Sequence, residues 1–132
     1  MNKISTEELF KIAYNYLQNK NYSKSIELFG KILVQYPDNL SVLRNLLHAY
    51  AFSGNFVKAE NTIQKVIKLN EKEPYIYQFY ASILKNQDKI DEMIDLIEKG
   101  LSKNLMNPKW NYQKDLLIPV IAKNNDEIDK FR

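Results

Sequence analysis

Cysteine is absent from the 132 residues, so disulfides, thiol nucleophiles and thiolate metal sites are excluded. Histidine occurs once, at His48, and one histidine cannot build a two-histidine metal site. The 3 glycines, Gly30, Gly54 and Gly100, are too scattered to form a phosphate-cradling loop. Together with only 4 prolines, that scarcity argues against an all-β sandwich, which needs turn residues at short, regular intervals. Arginine is confined to Arg44 and Arg132, so the net charge of +3 rests on lysine. Lysines on a helical protein form a solvated outer face, and no basic run interleaved with aromatics is present; no nucleic-acid partner is expected. The longest near-continuous apolar run, Leu116 to Ala122, is too short to span a bilayer, so no membrane insertion is expected. Met1-Asn2-Lys3-Ile4-Ser5 has no apolar stretch behind a basic one, which points away from a signal peptide and towards the cytoplasm.

What is present is an ordinary globular composition, 45% apolar and 27% charged, in a length that suits one domain. Its apolar residues recur with a period of 34. Leu9, Leu43 and Tyr77 fall in register, as do Ile12, Leu46 and Tyr80, and Tyr16, Tyr50 and Leu84. So do Tyr22, Phe56 and Ile90; Ser25, Ala59 and Met93; Phe29, Ile63 and Ile97; and Leu33, Ile67 and Leu101. A fixed period of this length is the signature of a repeat architecture.

Each window reads helix, break, helix. Leu9, Ile12, Ala13, Tyr16 and Leu17 follow the i, i+3, i+4, i+7, i+8 stripe of an amphipathic helix, and Leu43, Leu46, Leu47, Tyr50 and Ala51 repeat it. Second helices follow with Ile26, Phe29, Ile32 and Leu33, then Ala59, Ile63, Val66 and Ile67, then Ile90, Ile94, Ile97 and Leu101. Ser5-Thr6-Glu7-Glu8 is a capping box. Asn19-Lys20-Asn21, Ser53-Gly54-Asn55 and Gln87-Asp88-Lys89 break the paired helices. Pro37, Pro74 and Pro108 are expected at the first helical positions of new units.

A 34-residue helix–turn–helix unit with a small residue in the first helix (Ala13, Ala81), an aromatic one turn on (Tyr16, Tyr50), a small residue in the second (Ser25, Ala59) and a closing Pro37 resembles the tetratricopeptide repeat. The resemblance implies an all-α, right-handed superhelical stack of α-α hairpins. It covers residues 5–106 as three units, about 5–38, 39–72 and 73–106. Leu47, Met93 and Glu71 depart from the family pattern, which marks the units as divergent. Residues 107–132 are expected to form capping helices or a truncated fourth unit. Asn107-Pro108 would start a helix, Trp110, Leu117, Val120 and Ile121 would line its buried face, and Pro119 would kink or end it.

Acid pairs such as Glu7-Glu8 and Asp91-Glu92 sit at helix starts, where the dipole favours them, so no catalytic centre, metal or cofactor is expected. The expected work is protein or peptide binding, as an interaction module or chaperone-like adaptor. In stacked hairpins the first helices line the concave face. Helical spacing then assigns the groove to Phe10, Tyr14 and Gln18, to Arg44, Asn45, His48 and Phe52, and to Tyr75, Gln78, Phe79, Ser82 and Lys85. Aromatics beyond the packing need, with an arginine, are what binding hot spots favour. His48 has two readings, a polar residue flanking the groove or a pH-sensitive ligand contact.

Family members that grip acidic chaperone tails use a clamp of Lys and Asn, then Asn, then Lys and Arg. The matching places hold Phe10 and Tyr14, then Asn45, then Tyr75 and Phe79; only Asn45 survives, so no such clamp is implied. The alternatives are a structural segment of a larger repeat protein, with self-association through the terminal helices, and an RNA-binding helical repeat. Arg44 and Lys85 lend the latter thin support.

Overall fold

The computed structural model describes residues 4–118. Six helices run in order: α1 (Thr6–Gln18), α2 (Tyr22–Gln35), α3 (Leu40–Phe52), α4 (Phe56–Leu69), α5 (Ile76–Asn86) and α6 (Ile90–Ser102). No strand occurs among the described residues. The fold is therefore an all-α series of helical hairpins. The chain divides into two compact units, Met1–Ile76 and Tyr77–Arg132.

The sequence period is also a backbone period. Lys20, Gly54 and Asp88, each 34 residues apart, all take left-handed backbone conformations, with φ of 61°, 85° and 59°. Each sits just beyond a helix, and each turn closes with the same pair of bonds. Asn21, Asn55 and Lys89 N–H donate to the carbonyls of Tyr16, Tyr50 and Leu84; Lys20, Gly54 and Asp88 N–H donate to those of Leu17, Ala51 and Lys85. This is the Schellman closure, which satisfies carbonyls that the helix end leaves free. Only Gly54 takes that conformation without a Cβ penalty. The next helix begins at once, because Asn21 and Asn55 cap it by accepting from Lys24 and Lys58 N–H. Ser5 and Asn39 cap α1 and α3 in the same way, through Glu8 and Val42 N–H.

In the first unit α2 packs against both α1 and α3. Its core joins Ala13, Phe29, Ile32, Val42 and Leu46, with Leu9, Ile26 and Leu33 around them. Burial of each large side chain here contributes about 1.5–3 kcal/mol. Ala13, fully buried, lets the helices approach closely.

In the second unit Ala81 and Leu84 of α5 meet Met93 of α6, with Tyr80, Leu96, Ile97, Trp110 and Tyr112 packed against them. Gly100 lies in register with Ile32 and Val66, buried aliphatics of α2 and α4. A Cβ at Gly100 would come within 2.5 Å of Met106 Sδ and 3.2 Å of Tyr77 Cδ1. The space that a branched side chain fills in the earlier hairpins is thus filled here by Met106, returning from beyond the helix.

Three expectations need correction. Pro37 and Pro74 lie in turns that precede α3 and α5, not at their first positions. Asn39 N–H closes one turn on Tyr36 and Ile76 N–H closes the other on Glu73. Residues 103–118 contain no helix, and Asn107-Pro108 starts none. Asn107 Oδ1 accepts from Lys109 N–H, and Asn111 Oδ1 from Gln113 N–H, so each asparagine ties its side chain to backbone two residues on. Such local bonds compete directly with helix formation. Asp115 completes the loop by accepting from Asn111 N–H with its carboxylate and from Trp110 Nε1 with its carbonyl. Expectations for Pro119, Val120, Ile121 and the residues beyond lie outside the described residues. Finally, Ile90, Ile94 and Leu101 of the third second-helix stripe are 38%, 40% and 37% exposed, not buried.

Candidate functional site

Helical spacing places Phe10, Tyr14 and Gln18 along one line of α1, and Arg44, Asn45, His48 and Phe52 along the facing side of α3. Between the two helices run two clefts. One, of about 420 Å³, is lined by Thr6, Glu7, Phe10, Lys11, Ile32, Asn39, Ser41 and Val42. The other, of about 330 Å³, is lined by Tyr14, Leu17, Gln18, Asn45, His48 and Phe52. Phe10 and Tyr14 stand between them, stacked with ring centroids 6.5 Å apart and planes 7° from parallel. Phe10 is held from beneath by an edge-on contact to buried Phe29 at 5.4 Å.

The second cleft is the more polar. His48 lies against Phe52 at 6.0 Å between centroids. Its ring reaches solvent at the cleft mouth, yet enough protein surrounds it that desolvation lowers its pKa from the usual 6.5. The ring is accordingly neutral at pH 7. Asn45 Nδ2 donates to the Ser41 carbonyl at 2.7 Å, which fixes the amide and leaves its oxygen as an acceptor.

Arg44 does not serve the furrow as a loose cation. Its Nη1 donates to Glu73 Oε1 at 2.6 Å, and Asn70 Nδ2 donates to Oε2 of the same carboxylate at 3.0 Å. Glu73 is largely buried while Arg44 is about half exposed. The pair fastens α3 to the turn after α4. Tyr75, expected on α5, instead precedes it. It follows Pro74 in the turn closed by Glu73 and Ile76, with φ of 62°, and the residue is 69% exposed. Proline followed by a left-handed residue is the type II arrangement, which prefers glycine where Tyr75 stands.

The residues expected from the third unit are placed differently. Gln78, Phe79 and Ser82 are buried, so they do not offer their side chains to an open groove. Within the second unit the segment after α6 returns across α5. Leu117 N–H donates to Ser82 Oγ at 3.3 Å, and the Lys85 ammonium lies 5.0 Å from the centroid of the Tyr112 ring. Ser82 and Lys85 are thus engaged by the chain itself. Gln78 Oε1 has no hydrogen-bond donor among the described residues.

Leu17, Thr6, Glu7, Lys11, Ile32, Asn39, Ser41 and Val42 also line the clefts, and none of them is among the residues that helical spacing assigns to the groove. Leu17 and Val42 carry no signal that separates them from core residues. Thr6, Glu7 and Ser41 read as helix-start residues.

Paired helices repeated at 34 residues, each pair closed by the same turn, define a helical-hairpin repeat protein. A model of the tetratricopeptide repeat matches residues 16–83, more than half of the chain, and the chain belongs to that family. It is similar to Tetratricopeptide repeat protein 21B of Xenopus laevis, at 42% identity over 114 residues, covering 86% of this chain and 6% of that protein. It is also similar to TPR repeat-containing protein YvcD of Bacillus subtilis (strain 168), at 27% identity over 89 residues, covering 63% of this chain and 18% of that protein. The chain spans a small fraction of the length of both. Repeats of this family mediate protein–protein contacts. Among the described residues, no helix is long and apolar enough to cross a membrane.

Proposed function

We propose that the chain is an adaptor or chaperone-like module that holds a protein segment in the furrow between α1 and α3, and that it is not a catalyst. One observation carries the reading: two clefts separated by the Phe10–Tyr14 stack. Their lining sets are displaced by about two helical turns along α1 and α3, or roughly 10 Å of rise. A partner helix with apolar anchors at i and i+7 matches that spacing. Tyr14, His48 and Phe52 grip one anchor; Phe10, Ile32 and Val42 floor the other. Asn45 and Gln18 supply polar contacts at the rim.

The test is selection of peptides on the full chain from a displayed library, followed by affinity measurement on Phe52→Ala. The selected peptides should bind the variant at least 10-fold more weakly, with helical content unchanged by circular dichroism. Equal affinity for the two proteins would remove the furrow as the site.

A second reading, a segment of a longer array, draws support from the exposed Ile90, Ile94 and Leu101 and from the much greater length of the relatives. The RNA-binding reading loses one of its two cations, because Arg44 is paired with Glu73.

A further inference from the structure

Ile90, Ile94, Ile97 and Leu101 occupy one side of α6, within about 60° of arc at 100° per residue. Thirty-four-residue registry equates them with Tyr22, Ile26, Phe29 and Leu33 of α2. On α2 that side is covered: α2 packs against α3, and Phe29 is fully buried with Val42 and Leu46. On α6 Ile90, Ile94 and Leu101 are each more than one-third exposed. The residues in register with Val42 and Leu46 are Trp110 and Lys114, which lie in the turns after α6 and not on a helix. Trp110 packs on the Ala81–Leu84–Met93 cluster. An interface used between α2 and α3 is therefore repeated on α6 with its covering helix missing among the described residues.

The edge of that stripe carries one sign of charge. Asp91 and Glu98 lie about 70–90° around the helix from it, with Asp95 a little further on, and all three are exposed. The lysines Lys99 and Lys103 fall on the far side. An antiparallel two-fold pairing of α6 with a second copy would bring this acidic edge against itself, which like charges oppose.

We propose that the α6 stripe docks an amphipathic helix with a basic edge, supplied by another protein. Its apolar side covers Ile90, Ile94, Ile97 and Leu101, and its lysines or arginines meet Asp91, Asp95 and Glu98. This surface is separate from the α1–α3 furrow and does not depend on it.

The probe is a labelled 18-residue helix of leucine and lysine, with one apolar stripe flanked by lysines, titrated against the full chain by fluorescence anisotropy. A matched leucine and glutamate helix is the control. The lysine helix should bind more tightly by at least 10-fold, and the gap should narrow at high salt. Ile94→Asp, at a site already 40% exposed, should abolish binding with the circular dichroism spectrum unchanged. Asp91→Lys with Glu98→Lys should reverse the preference between the two peptides. Phe52→Ala should leave it intact. Retention of binding by Ile94→Asp, or an unreversed preference in the charge-swapped chain, would overturn the proposal. So would a wild-type dimer in sedimentation that Ile94→Asp dissolves, because the occupant would then be a second copy.

Discussion

Helices α1 and α5 hold the same place in the repeat and end differently. Of α1 only Ala13 is buried, and two clefts open along the side where Phe10 and Tyr14 stand. Of the eleven residues of α5 none is exposed: Tyr80 and Lys85 are half-buried and the other nine, Gln78, Phe79 and Ser82 among them, are buried. Both helices present apolar residues off the repeat stripe, so the stripe is not what separates them. In the second unit the chain after α6 returns over α5, where Ser82 accepts from Leu117 and Lys85 faces Tyr112. A residue off the stripe lines an open cleft on α1 and is packed under the chain on α5.

The largest expected effect breaks that comparison. Phe79 is 7% exposed, so Phe79→Ala should cost about 3–5 kcal/mol in urea unfolding. Phe52→Ala, at a half-buried cleft residue, should cost much less while losing peptide affinity. A Phe79→Ala chain as stable as wild type would return Phe79 to the list of groove residues.

The next effect concerns what covers α5. Gly100→Val would restore the aliphatic residue found in the first two hairpins and collide with Met106 and Tyr77. Overpacking of this kind costs about 1–3 kcal/mol. Trp110 is the single tryptophan and belongs to the segment that Met106 leads, so its emission should shift to longer wavelength as that segment is displaced. An unshifted emission spectrum would show that Met106 does not fasten the returning segment.

Much of this architecture was legible, for a physical reason. Helix stripes and closing turns are local, and the Lys20, Gly54 and Asp88 turns follow the same 34-residue spacing as the apolar residues. On α1 and α3, where the furrow stays open, helical spacing also placed Tyr14, Gln18, Asn45, His48 and Phe52 together around one cleft. It failed for Gln78, Phe79 and Ser82 because exposure depends on what lies over a helix, which a 3.6-residue period does not encode. It failed for Arg44 because the partner, Glu73, is 29 residues away in sequence. After α6 asparagine, the residue type that caps α2, α3 and α4, makes turns instead, because the Asn107 and Asn111 side chains bond to backbone two residues on and not to a helix start.

The smallest effect tests why α5 starts late. α3 begins 34 residues after α1, at Leu40 against Thr6, but α5 begins 36 after α3, at Ile76. The two residues in question are Pro74 and Tyr75, which form the turn that Glu73 closes. Tyr75 is there at a backbone conformation that costs a non-glycine residue about 1 kcal/mol or more. Tyr75→Gly relieves the Cβ clash but loosens the unfolded chain, which offsets part of the gain, so the net change should be a stabilisation of about 0.5 kcal/mol in urea unfolding. Loss of stability would mean that the tyrosine ring contributes packing which outweighs its backbone strain.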